Sequence, residues 1–282
     1  MAALVNYSSS DSDTDVSSNE IENAPSRPKL SLPEEFENKY RSSPRLLDDP
    51  VFHQGRKRTF AHVEGAWTTQ SFIEVKLTRS LSSQLQQILK SEIAIEERDD
   101  GTPKSNDWVP LFFSELGLAK PLHLTLSSMD CLDYESKESF RVQWKQTLSS
   151  AHFQPFSIQL GKVLYLVNEQ QTRGFLAWRI HFDEHHLKPL CQKINDLNIS
   201  FGMQPLRPDF IPHISFCWRK TNPKECEAWS SAISLYEVPS KFDNLVSAIE
   251  DLLKSNNTNI PVKSVKLSTG GYLDTLELKE PY

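Results

Sequence analysis

From about residue 66 onward the chain switches repeatedly between two hydrophobic periods. Ile73, Val75 and Leu77 alternate with Glu74 and Lys76, the period of two that marks a half-buried strand. Leu81, Leu85, Ile88 and Leu89 recur at helical spacing. Leu122, Leu124 and Leu126 alternate with His123, Thr125 and Ser127 and predict a second strand. Phe140, Trp144 and Leu148 predict a second helix. Phe156, Ile158 and Leu160 predict a strand, Leu164 and Leu166 a further one, and Leu176, Trp178, Ile180 and Phe182 line one face of a long one. Leu187, Leu190, Ile194 and Leu197 follow at helical spacing, with Asp183 placed to cap that helix. A strand surrounds His213. Ser240 is placed to cap a helix that turns Phe242, Leu245, Val246, Ile249 and Leu253 inward. Val265 and Leu267, the turn residues Gly270 and Gly271, and the stretch from Tyr272 to Leu278 predict a closing hairpin. Strands joined by short turns alternate with strands separated by helices, which predicts an α+β fold with mainly antiparallel sheets.

Composition sets the first 60 residues apart. Residues 1–45 are rich in Ser, Asp, Glu and Pro, and the run from Ser8 to Glu20 has too little apolar surface to offset the entropy of ordering it. The expectation is a disordered acidic leader over residues 1–60 and a folded domain over 61–282. Charge agrees with that division. The chain carries a net charge of −6, and residues 1–50 alone hold ten acidic and five basic side chains, so the remainder is close to neutral. A near-neutral domain does not grip long nucleic acid by its bulk field, which needs many basic contacts to phosphate. It can still hold a strand end in a pocket. Arg56, Lys57 and Arg58 form a short basic cluster suited to nuclear import.

The four cysteines (Cys131, Cys191, Cys217 and Cys226) form no C-x-x-C pair, and neither a signal peptide nor a long apolar run is present. These features predict a soluble protein with free thiols, no membrane partner and a reducing compartment.

Two segments carry the chemistry: Leu122-His123-Leu124-Thr125-Leu126 and Pro212-His213-Ile214-Ser215-Phe216. Each places an imidazole and a hydroxyl two positions apart in an apolar strand, hence on one face, while the alternate residues pack inward. The histidines are ninety residues apart, so they come from different halves of the chain. Facing each other across a groove, they would suit in-line displacement at phosphorus. One imidazole would take a proton from the attacking oxygen and the other would give one to the leaving oxygen. Thr125 and Ser215 would donate to the phosphate oxygens, where charge builds. This chemistry calls for no metal and no cofactor.

The paired His-x-Ser/Thr motifs resemble the two-histidine (2H) phosphoesterase superfamily. A closer resemblance is to the U6 snRNA phosphodiesterase family. It runs through Val63 to Thr68, Val167 to Phe175, Pro212 to Trp218 and Val265 to Leu276, and the opening Leu4 to Ser10 is similar to the start of animal members. The resemblance implies a two-lobed fold whose antiparallel sheets face a central groove, with helices outside. It implies a monomeric nuclear 3′–5′ exoribonuclease that trims the oligouridine tail of U6 snRNA and so supports U6 stability and splicing. The product end would be a 2′,3′-cyclic phosphate or a 3′-phosphate. His123, Thr125, His213 and Ser215 would form the catalytic set, with Thr125 where many relatives have Ser. The family's base-stacking aromatic, six residues before the second histidine, is Arg207 here. A guanidinium plane can also stack on a base, and Phe210 lies nearby. Tyr165 and Arg173 are further candidates for the groove. The alternatives are a 2H enzyme acting on cyclic nucleotides or tRNA ends, and a non-catalytic RNA- or nucleotide-binding module.

His181-Phe182-Asp183-Glu184-His185 spells the H-x-x-E-H pattern of zinc proteases, which requires both histidines on one helical face. Here the first ends a strand and a turn follows, so a polar strand-to-helix junction is expected instead. Trp144, Trp178 and Trp218 match helix or strand periodicity and are expected in the core.

Overall fold

The computed structural model describes residues 65–93, 108–168, 171–181, 183–221 and 237–279. All of them belong to one compact unit, Asp48–Tyr282. The leader, the basic cluster at Arg56 to Arg58, Cys226 and Trp229 lie outside the described residues, and so does the side chain of Phe182.

Two antiparallel sheets of five strands organise the domain. The first contains β1 (Trp67–Val75), β3 (Leu122–Thr125), β4 (Asp130–Leu132), β9 (Ser264–Thr269) and β10 (Tyr272–Glu277). Its order is β10-β9-β1-β3, with β4 also paired to β1. The second contains β2 (Val109–Pro110), β5 (Phe156–Val167), β6 (Arg173–Ile180), β7 (His213–Lys220) and β8 (Asn259–Val262), in the order β2-β7-β6-β5-β8. Among the described residues the helices are α1 (Arg79–Ile93), α2 (Tyr134–Ser150), α3 (Leu187–Ser200) and α4 (Asp243–Lys254).

Each sheet buries one face. Thr69, Ser71, Ile73 and Val75 of β1 point inward together with Leu122 and Leu124 of β3 and Val265 and Leu267 of β9. Helix α2 covers this face with Phe140, Trp144 and Leu148, all at most 2% exposed. Its polar side is fixed as well. The Trp144 indole donates to Ser71 Oγ at 3.0 Å, and the Ser71 amide donates to Ser127 Oγ at 2.8 Å. In the second sheet Leu176, Trp178, Ile180, Ile214 and Phe216 are buried, and the Trp178 and Phe216 rings stack with centroids 4.2 Å apart.

Several local expectations change. The strands expected at Phe156–Leu160 and at Leu164–Leu166 are one strand, β5, interrupted by a register shift between Leu160 and Val163. Gly161 and Lys162 both fall opposite Arg179 there, and a bulge re-phases the side chains, so two separate alternations appear in the sequence. Asp183 does cap α3, but from outside the usual position. Its carboxylate accepts from the amides of His185, His186 and Leu187 at 3.1, 2.7 and 3.2 Å. Ser240 does not cap a helix; it opens a 3-10 turn, Ser240–Phe242, that leads into α4.

Segments that carry the family resemblance have structural reasons of their own. Asn168 builds the β5–β6 turn by accepting from the Thr172 and Arg173 amides at 2.9 and 2.8 Å. Gly270, at φ +52°, lies flat against the Trp67 ring, and a Cβ there would come 2.0 Å from it. Glycine is therefore required at that hairpin turn.

Candidate active site

The two motifs lie where the sheets adjoin. β3 is the edge strand of the first sheet and packs beside β7. β2 pairs only with the far end of β7, at Trp218 and Cys217, so the end bearing His213 and Ser215 is left open towards β3. Alternation does the rest. Leu122 and Leu124 are buried and turn His123 and Thr125 to the opposite face; Ile214 and Phe216 do the same for His213 and Ser215. The register between β6 and β7 slips just after Ser215, with Leu176 opposite Cys217 but Ala177 opposite Ser215. Phe216 is the extra residue at this slip, and it and Cys217 are both buried.

His213 is held in one tautomer. Its Nδ1 lies 2.8 Å from the Ile211 carbonyl oxygen. A carbonyl only accepts, so the neutral ring carries its proton on Nδ1 and presents the Nε2 lone pair. Phe210 flanks this ring with centroids 6.1 Å apart, and Phe72 flanks His123 edge-on at the same separation. Both imidazoles titrate below their ordinary value, chiefly because burial penalises the cation. For His123 the His213 charge and then Lys120 lower it further, while for His213 the bond to Ile211 opposes the burial. His123 is accessible to solvent and yet desolvated, the combination expected on the floor of a groove. The packing of β3 beside β7 brings the two histidine-bearing strands together.

The face around the histidines mixes charged and apolar side chains. Glu74 lies directly across from His123 and Phe72 across from Thr125. Lys266 and Lys76 hold the Glu74 carboxyl below its usual range. Arg179 lies directly across from His213 and Ala177 across from Ser215.

The other predicted residues are dispersed. Arg207 is exposed in the loop before β7, and its carbonyl accepts from the Phe210 amide at 3.0 Å. Phe210 lies beside His213 as expected. Arg173 is half-buried, with its guanidinium 3.8 Å from the centre of the Trp218 ring. Tyr165 is a correction: it is 6% exposed and packs with Trp108 and Phe242 in the core. It shares the inward face of Leu176, and its phenol crosses Gly174 where a Cβ would come within 2.0 Å. His181 lies beyond the end of β6, and His185 lies in the turn before α3, so the H-x-x-E-H residues share no helical face. His186 Nδ1 meets Asp183 at 3.0 Å.

Comparison with known proteins gives the family. The chain is 30% identical to U6 snRNA phosphodiesterase 1 of Schizosaccharomyces pombe over 229 residues, covering 81% of this chain and 82% of that protein. The chain belongs to the U6 snRNA phosphodiesterase 1 family. The Neurospora crassa member is 24% identical and covers 88% of this chain and 74% of its own length. The human member is 24% identical over 61% of this chain and 57% of its own. Residues 30–277 match the HVSL family, described as an uncharacterised conserved protein. A solved structure shares the fold as well. Usb1 of Kluyveromyces marxianus superposes with a TM-score of 0.53 at 20% identity, over 75% of this chain and 98% of that one, and the same protein has been solved with uridine monophosphate.

Sequence reasoning missed Arg179, Glu74 and Phe72 as neighbours of the histidines. Cross-strand register places them there, and register is not visible in a single strand's alternation.

Proposed function

We propose that this chain is a 3′–5′ RNA exonuclease that shortens the oligouridine tail of U6 snRNA by transesterification. The observation that carries the reading is the meeting of two imidazole–hydroxyl pairs, from the edge of one sheet and the open end of a strand in the other. Membership of a family of phosphodiesterases supports the same reaction class.

His213 is the base. Its free Nε2 takes the proton from the 2′-hydroxyl of the penultimate ribose, and that oxygen bonds to phosphorus. The bond from phosphorus to the departing 5′-oxygen breaks, and protonated His123 supplies the proton. The depressed pKa of His123 makes its cation a ready donor. Thr125 and Ser215 donate to the non-bridging oxygens as charge grows on them. The retained strand ends in a 2′,3′-cyclic phosphate, which opens to a 3′-phosphate when water is admitted; the first unit released is a nucleoside and each later one bears that terminal phosphate, all with a free 5′-hydroxyl. Trimming U6 snRNA places the protein in the nucleus, acting as a monomer on an RNA end in support of splicing.

The test is to incubate purified protein with a 3′-oligouridine RNA in excess chelator and resolve both products. Stepwise shortening with a cyclic or 3′-phosphate end supports the reading. Intact RNA, or ends bearing 3′-hydroxyls, would overturn it.

A further inference from the structure

Beyond His213, on the side away from Ser215, lies a cleft of about 540 Å³. Lys162, Arg179, His181, Gln159, Phe210 and Pro212 line it. The backbone itself shapes this cleft. Gly161 and Lys162 share the space of one residue opposite Arg179, and a Cβ on Gly161 would lie 2.8 Å from the Arg179 carbonyl oxygen. Only glycine permits that approach, and the bulge turns Lys162 out beside Arg179.

Charge gives the cleft its character. Lys162, Arg179 and His181 are exposed, and none of the residues lining it is acidic. Among the described residues neither Lys162 nor Arg179 forms an ion pair. Two uncompensated cations in a domain of almost no net charge suit an anion, and a guanidinium suits phosphate in particular. Phe210 supplies a half-exposed ring on which a base can stack. Position ties the cleft to the reaction. Arg179 is the cross-strand partner of His213, with backbones about 5 Å apart, and its side chain reaches on from there.

We propose that this cleft is a second nucleotide subsite. It holds the phosphodiester next to the one being cut, with Arg179 and Lys162 on the phosphate and Phe210 against the base. The proposal rests on the phosphodiesterase reading above and extends it from a single scissile phosphate to a tracked strand.

Two measurements test it on wild type, Arg179→Ala, Lys162→Ala and the double variant. The first is kcat/KM for a uridine tetranucleotide relative to the dinucleoside monophosphate UpU, which has no neighbouring phosphate. Wild type should prefer the longer substrate, and the double variant should lose about tenfold or more of that preference. The second is the salt dependence of Kd for an oligouridine made resistant by a 2′-deoxy penultimate residue. The log–log slope should become shallower by about 0.7 for each phosphate that the variant no longer neutralises. Arg179→Lys should keep most of the slope, which a merely structural arginine would not require. An unchanged length preference with an unchanged slope overturns the subsite. If wild type cuts neither substrate, the phosphodiesterase reading fails instead, and the slope alone still decides the cleft.

Discussion

The Asp130 carboxylate accepts a hydrogen bond from the Gln204 backbone amide at 2.8 Å and so ties the start of β4 to the loop that enters β7. Ser128 Oγ, two residues earlier, donates to the Pro205 carbonyl at 2.9 Å. These bonds join the segment that follows the first histidine to the segment that precedes the second. The loop they anchor runs on to Ile211, whose carbonyl orients the His213 ring. Asp130→Ala should therefore lower kcat up to about tenfold while costing only about 1 kcal/mol of stability, the scale of one accessible hydrogen bond. Asp130→Asn keeps an acceptor and should restore most of the rate. Steady-state kinetics beside thermal melts separate the two effects. Loss of stability with kcat unchanged would mean that the tie does not position the site.

Replacing either histidine by alanine should lower the rate by about 10²–10⁴-fold, the usual worth of a positioned acid or base. RNA binding should largely persist, because the imidazoles act mainly in the transition state. A mutant that trims near the wild-type rate would remove that residue from the mechanism.

The reaction needs one proton shared by the pair, so kcat/KM should be bell-shaped in pH. Burial holds both imidazoles below the ordinary value of about 6.5. As pH rises the pair passes through its singly protonated, active form and then gives up the last proton, so activity should already be falling near neutrality, with the optimum below about 6.5. Lys120 depresses His123 further. Lys120→Gln should raise the pKa of His123 and move the alkaline limb upwards. An alkaline limb that moves down, or stays fixed, contradicts this electrostatic account.

The elements and the histidines were legible because each strand alternates cleanly. Leu122, Leu124 and Leu126 leave His123 and Thr125 no other face. What was hidden depends on register and bulges. Tyr165 read as a groove residue because the extra residue at Gly161–Lys162 re-phases β5 and sends its ring inward. Arg179 carries no signal of its own in the sequence, because only pairing with β7 sets it opposite His213. The Asp130 tie joins residues 74 positions apart through a backbone amide, and a backbone amide leaves no trace in the sequence.

Asp274 is a buried carboxylate, 6% exposed, and takes a bidentate contact from Arg141 at 2.6 and 3.2 Å and an ion pair from Lys145. It clamps α2 onto β10. Asp274→Ala should cost about 1–3 kcal/mol, below the full value of a buried pair because Arg141 and Lys145 stay partly solvated. Arg141 and then Lys145 hold the carboxyl below its ordinary value. Its contribution is therefore present above the unfolded pKa of about 3.9 and is lost as pH falls through and below it. Denaturant melts should show wild type losing stability over that acid range more steeply than Asp274→Asn. Parallel curves would show that the clamp carries no pH-dependent stability.

The nucleophile is open to a direct test. If the penultimate ribose supplies its own 2′-hydroxyl, the attack is intramolecular and no water has to be positioned. His213 need only remove that proton while His123 protonates the departing oxygen. An oligouridine with one 2′-deoxy residue at the penultimate position should then bind with nearly unchanged Kd and resist cleavage. A deoxy residue several nucleotides upstream should leave the first cut intact and stop trimming only when it becomes penultimate. The product ladder of the upstream-substituted RNA should therefore end at a defined length, with a 2′,3′-cyclic phosphate on each earlier product. Efficient cutting of the penultimate-deoxy RNA would mean that water attacks phosphorus directly. His213 would then have to act on a water that the groove must hold, and the cyclic end would vanish from the ladder.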